Sequence, residues 1–229
     1  QNQKVVLVDL DLQFGSTALS LDLVPAGGMI ETLRNPDRVD ALFLASALVP
    51  KTANFSVLAA EEDLARDASY SSAGIERLIE ELRRSFDWVW IDIPRTLCYV
   101  NANVISDASH IYVVSDLSLA GMRDTMRVAN YCDGLNRDSD IAVILNRTGG
   151  AKGIPAAQFG KGVPKPVIAR LPEDPKAGNA ATTGKPVAQI AGRGKFAVGL
   201  RKIVQEIAPL PKKRRGLLSF RKADAQAQA

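Results

Sequence analysis

The chain has 229 residues, 46% of them hydrophobic and 24% charged, with a formal net charge of +4. This is the balance of a soluble globular protein, and the length suits one large α/β domain or two small ones. No apolar run approaches the roughly 20 residues of a membrane span, and the two cysteines, Cys98 and Cys132, lie too far apart to read as a disulfide framework or metal motif.

From the start, Gln1 to Lys4 lead straight into a strand with no secretory signal pattern, and the first residue is not Met, so the chain is expected to be a fragment or a processed form. "KVVLVDL" (4–10) is continuously apolar and β-branched, which predicts a strand buried on both faces. "FSVLAA" (55–60) predicts a second. Ile75, Leu78, Ile79, Leu82 and Phe86 form the stripe of an amphipathic helix. "DWVWIDIP" (87–94) and "HIYVVSD" (110–116) read as strands. Leu119, Met122, Met126 and Ala129 mark the next helix, whose Arg123 and Arg127 fall one turn apart on a face that is either solvated or part of a dimer contact. "IAVILNR" (141–147) is a strand. The Gly-, Pro- and Lys-rich stretch 148–165 reads as a long, mobile connection to the strand "PVIARLP" (166–172). Phe196, Leu200, Ile203, Val204 and Ile207 mark a last helix, and "ADAQAQA" at the end reads as disordered. Strands alternating with helices predict an α/β fold, doubly wound, with a mostly parallel sheet. Residues 1–210 form that domain, and 211–229 a basic, flexible tail.

Ligands of such sheets bind beyond the carboxyl ends of the strands. The polar residues found there are Asp9 and Asp11, Asp92, Ser115 and Asp116, Asn146 and Arg147, and the "LPEDP" of 171–175. Clustered carboxylates suit a hydrated Mg2+ and its phosphates, and a carboxylate near a terminal phosphate orients an attacking water. Each acid alone reads equally well as a turn former or helix cap, and Asp116 reads first as a cap. A phosphate cradle of the form G-x-x-x-x-G-K-[ST] is absent; "GAKG", "TTGKP" and "GRGKF" have the letters without the spacing. With His110 the only histidine, a zinc site is not expected.

In sequence the chain resembles the MinD/ParA group of deviant Walker P-loop ATPases, and within it the TadZ/CpaE branch that serves assembly of Flp/Tad-type pili. The resemblance rests on "VVLVDLDLQFG" (5–15), "FDWVWIDIPR" (86–95), "SDLSLAGMRDTMR" (115–127), "ILNR" (144–147) and "LPEDPKAGNAATTGKPV" (171–187); "RNPDRVDALFLASAL" (34–48) points to the pilus branch. It spans about residues 5–208. It implies ATP and Mg2+ as cofactors, Asp11 as the residue orienting the hydrolytic water, Asp9 near the metal, Asp92 as the Walker B acid of the Mg2+ water shell, Asn146 at the adenine edge and Pro172 beside the base. It also implies that the phosphate-loop strand and helix, and often a receiver-like domain, precede residue 1. The family's pattern has a glycine two residues after the proline that here is Pro94, where Arg95 and Thr96 follow instead; losing the close backbone approach a glycine allows puts hydrolysis in doubt.

Six of the 29 basic residues fall in "KKRRGLLSFRK" (212–222), so the rest of the chain is nearly neutral. With Leu217, Leu218 and Phe220 among them, the run reads as a solvated tail, as an inner-membrane surface contact or as a nonspecific DNA contact. No reading helix or stacking platform supports sequence-specific binding, and nucleic acid is not the expected partner.

Three functions compete: a positioning ATPase of pilus assembly with weak or no hydrolysis, an active MinD/ParA-type ATPase of cell division or DNA partition, and a nucleotide-free scaffold of the same fold. The resemblance implies a homodimer that meets the pilus secretion machinery and its motor ATPase, in the cytoplasm, at the inner membrane surface or at the cell pole.

Overall fold

The structure, a computed structural model, describes residues 3–135, 138–150, 153–190 and 192–207. Its first half runs β1 (Val5–Asp9), α1 (Thr17–Ser20), α2 (Met29–Arg34), α3 (Ala41–Ala47), β2 (Val49–Thr52), β3 (Phe55–Leu58), α4 (Ser72–Ser85) and β4 (Trp88–Asp92). The second half runs α5 (Ala102–Ser106), β5 (His110–Ser115), α6 (Leu119–Leu135), β6 (Asp140–Thr148), α7 (Ala156–Gly162), β7 (Val167–Pro172), α8 (Pro175–Thr183), α9 (Val187–Ile190) and α10 (Lys195–Ile207).

β1 is a parallel partner of both β3 and β4, and β6 of both β5 and β7; among the described residues only the β2–β3 pair is antiparallel. The α/β, doubly wound, mostly parallel class is therefore the observed one. Alternation along the strands divides the core. Val6, Val8 and Leu10 bury against Leu33, Leu78 and Leu82 of α2 and α4, while Val57 and Ala59 pack with Ala18 and Leu21 on the opposite face. Around β6, Val143 and Leu145 meet Phe159 of α7, and Ile144 meets Leu171 and Ile203 of α10.

Three expectations change. β2 is a strand beyond those expected: "VPKT" carries Pro50 and alternates half-buried with exposed residues, which only a sheet edge tolerates. The stretch 148–165 is not all connection, because α7 starts after Pro155 and drives Phe159 fully inside. Its Gly162 lies where an added Cβ would be 2.9 Å from the Met122 sulfur, so the glycine that suggests a loop is a packing contact. In α6 the buried residues are Thr125, Ala129 and Cys132, and Met122 packs against the Phe159 cluster, whereas Leu119 and Met126 are 74% and 37% exposed. The basic run 212–222 and the terminal "ADAQAQA" lie outside the described residues.

The strands form two sheets, β2-β3-β1-β4 and β5-β6-β7. Among the described residues no strand pairs with the second edge of β4 or of β5. Trp90 and Val114, mid-strand on these two edges, are 36% and 62% exposed. The halves are joined around the opening. Ile93 packs with Ile105, Cys132 and Ile141, Arg95 pairs with Asp124 at 2.8 Å, and the Trp90 ring stacks on Tyr112 with centroids 5.9 Å apart.

Candidate functional site

β1 and β4 end in register on Asp9 and Asp92, and the Leu10 amide donates to the Asp92 carbonyl at 3.0 Å. Parallel pairing in register is what sets these two acids side by side. Asp9 is buried; its Oδ1 accepts the Asp11 amide at 3.0 Å and its Oδ2 the Thr17 amide at 3.2 Å. Asp11 is half-buried, and its Oδ1 accepts the Phe14 amide at 3.0 Å. The Asp92 carboxyl is held above the ordinary carboxylate range by partial desolvation first, then by the charges of Asp9 and Asp11. These three expected residues are thus brought together. A positive charge placed beside Asp92 would be stabilised, since the charges of Asp9 and Asp11 raise the cost of ionising it.

Gly15 is required by close approach: an added Cβ would lie 2.5 Å from Asp9 Oδ2 and 2.4 Å from the Asp11 carbonyl oxygen. Tyr70, near enough to feel the Asp11 charge, and its partner Asn101 are not among the residues expected from the sequence. Burial raises the Tyr70 phenol, its Asn101 hydrogen bond opposes that, and the Asp11 charge adds to it; the Asn101 Nδ2 donates to the Tyr70 hydroxyl at 2.9 Å. Nothing in the pattern around either residue marks it, because the contact joins a loop and a turn 31 residues apart.

Asn146 and Pro172 stand on the second sheet, near the ends of β6 and β7. Asn146 Oδ1 accepts the Arg147 amide at 2.9 Å, and Arg147 takes a left-handed φ of 53°. Thr148 pairs with Pro172 across the two strands. Asp116 is a turn former and Ser118 the cap of α6: Asp116 Oδ1 accepts the Ser118 amide and hydroxyl, while Ser118 Oγ accepts the Gly121 amide at 2.9 Å; the Ser118 bonds, with Arg147 nearby, hold the Asp116 carboxyl below the usual range. Asp174 caps α8 through the Lys176 amide at 2.9 Å. Segments following strands of both sheets meet: α1 touches α8, and Gly184, at φ 61°, lies close against Asp22.

Among the described residues no three His, Cys, Asp or Glu side chains are arranged to hold a bare metal ion. Asp92 and Asp11 fit a hydrated Mg2+ held through its water, a mode that needs only one or two carboxylates. The sequence supplies no glycine-rich loop with a lysine to receive phosphates. The residues present fit the cation side of a magnesium–phosphate site and leave its phosphate side to other atoms.

No family model matches the chain. It is 27% identical over 150 residues to the septum site-determining protein MinD of Synechocystis, an alignment covering 63% of this chain and 53% of that protein. The match therefore spans about half the length of this curated relative. A ParA family ATPase from Chlorobium tepidum superposes with a TM-score of 0.78 at 18% identity, covering 88% of this chain and 84% of that one. The chain has the fold of the MinD and ParA ATPases. A MinD from Pyrococcus horikoshii, solved with Mg-ADP, gives a TM-score of 0.76 at 22% identity, covering 91% and 84%. The ATP complex of a Cyanothece McdA variant gives 0.63 at 17% identity, covering 90% and 85%. In this MinD/ParA-type fold the three acids of β1 and β4 occupy the carboxyl edge of a parallel sheet, where such sheets bind ligands.

Proposed function

We propose that the chain is the greater part of a MinD/ParA-like, ATP-binding positioning factor of the TadZ/CpaE branch, which acts in Flp/Tad pilus assembly with weak or no hydrolysis. The observation that carries this is the convergence of Asp9, Asp11 and Asp92 at the ends of paired strands in this fold. Asp92 holds the water shell of Mg2+, Asp11 orients water at the terminal phosphate, and Asn146 and Pro172 receive the base. Bound Mg2+ supplies neutralisation of phosphate charge.

A strand carrying a glycine-rich loop fills the opening between β4 and β5, and the helix after it covers Trp90. The two free strand edges and the exposure of Trp90 and Val114 support this arrangement. Weak hydrolysis follows from the missing glycine two residues after Pro94, where Thr96 stands and the close backbone approach a glycine allows is lost. The pilus assignment rests on "DLDLQFG", "IDIPR" and residues 34–48. The protein acts as a homodimer beside the pilus motor ATPase, with the 212–222 run at the inner membrane surface.

The experiment is to delete the gene in a piliated host and restore it with wild type or Asp92→Ala, counting surface pili and measuring ATP turnover of each purified full-length product. Loss of pili, rescue by wild type alone, and turnover far below that of a cell-division ATPase are expected. Normal piliation in the deletion strain would end the pilus reading, and brisk turnover the non-hydrolytic one.

A further inference from the structure

Between Asp9 and Thr17 the chain turns back on itself around one carboxylate. Asp9 Oδ1 accepts the Asp11 amide and Oδ2 the Thr17 amide, so one side chain bonds both ends of the loop that carries Asp11. The loop closes so tightly that Gly15 leaves no room for a Cβ beside Asp9 Oδ2, and the Gly15 amide donates to the Asp11 carbonyl at 2.8 Å. On the outside the loop is fastened by buried Leu12, whose carbonyl accepts the Glu62 amide at 2.9 Å, and by Gln13, whose Nε2 donates to the carbonyls of Asp63 and Arg66 at 3.2 and 3.1 Å. Phe14 then projects into solvent at 72% exposure.

A carboxylate whose two oxygens are both taken by backbone amides, and which is itself buried, is poorly placed to serve a cation's water shell as well. We infer that Asp9 is a positioning residue: it locks the 11–17 loop so that Asp11 is held at the site, and it does not contact the cation. The role of the site itself rests on the function proposed above; the anchoring of the loop does not. A side chain with two acceptor oxygens is required because both partners are donors. Asn in its place turns an NH2 donor toward one of the two amides, leaving a donor facing a donor.

The test is amide hydrogen exchange on the full-length gene product, paired with a Mg2+ titration of nucleotide binding. Asp9→Asn should lower the protection of the Asp11 and Thr17 amides about tenfold while Val6 and Val8 in β1 keep theirs. Gly15→Ala keeps Asp9 ionisable but places a Cβ 2.5 Å from its Oδ2, which pushes that oxygen off the Thr17 amide and should lower Asp11 protection in the same way. The Mg2+ concentration for half-saturation should stay within about twofold in Asp9→Asn, because a positioning residue is not a ligand. Unchanged Asp11 protection in both variants overturns the inference, as does a Mg2+ requirement that rises about tenfold in Asp9→Asn. If Asp9→Asn also loosens β1, Gly15→Ala decides the matter. Absence of nucleotide binding in wild type would sink the proposed function, while the exchange data would still decide whether Asp9 anchors the loop.

Discussion

The three acids at the carboxyl edge are unequal, and their surroundings say how. Asp9 is enclosed and hydrogen-bonded, Asp11 is half-buried at the start of a loop, and Asp92 is open to solvent but shielded enough to feel both neighbours. A carboxyl whose folded-state pKa is raised destabilises the fold when ionised. That cost is fully present above the raised pKa and fades as pH falls toward the unfolded value of about 3.9. Asp92→Asn should therefore unfold at a higher temperature than wild type at pH 7, and the two should converge below about pH 3.9. Thermal melts across pH check this; a variant less stable at neutral pH would mean that Asp92 makes a contact outweighing the repulsion. Of the site residues, the acids were legible because they interrupt apolar strands at their ends. Tyr70 and Asn101 were not, because a hydrogen bond between distant loop positions leaves no local pattern.

The elements differ in how plainly the sequence announced them. β1 and α4 were legible because a single physical demand dominates each: burial on both faces for one, a single apolar stripe for the other. β2 was hidden by its proline and its brevity, and α7 by glycines that serve packing. In α6 the expected stripe holds at Met122 and Ala129 but not at Leu119 and Met126, because the buried face also takes Thr125 and Cys132, which are less hydrophobic than the two residues it leaves exposed. Contacts between elements are close where the chain needs them. α4 crosses α2 at Gly74, where an added Cβ would come 1.9 Å from the Leu33 carbonyl oxygen, and Ser71 both caps α4 at the Gly74 amide and donates to that same carbonyl. Gly74→Ala forces the two helices apart. It should destabilise the protein by about 1–3 kcal/mol, the range for overpacking a tight contact. Urea unfolding measures this, and a change under about 0.5 kcal/mol would show that the pair yields more easily than its packing indicates.

At the scale of the whole molecule, the alternation of strands and helices indicated the fold class but not the division of the sheet. β4 and β5 are each apolar enough to be central strands, yet among the described residues each bonds to one neighbour, and the aromatic rings of Trp88, Trp90, Tyr112 and His110 stack in a row across the space between them. Residue patterns record what each strand would prefer to bury and carry no record of which strand lies beside it. The opening follows the carboxyl-edge acids closely in space, since Asp92 ends one of its two walls. A phosphate-binding loop entering there would meet Asp92 and Asp11 directly. The measurement that tests this account most directly is calorimetric binding of ATP to the full-length gene product, with and without Mg2+, for wild type and Asp92→Ala. Binding that requires Mg2+ and weakens about tenfold or more in Asp92→Ala is the predicted result. No binding by wild type, or binding indifferent to both Mg2+ and Asp92, would contradict it.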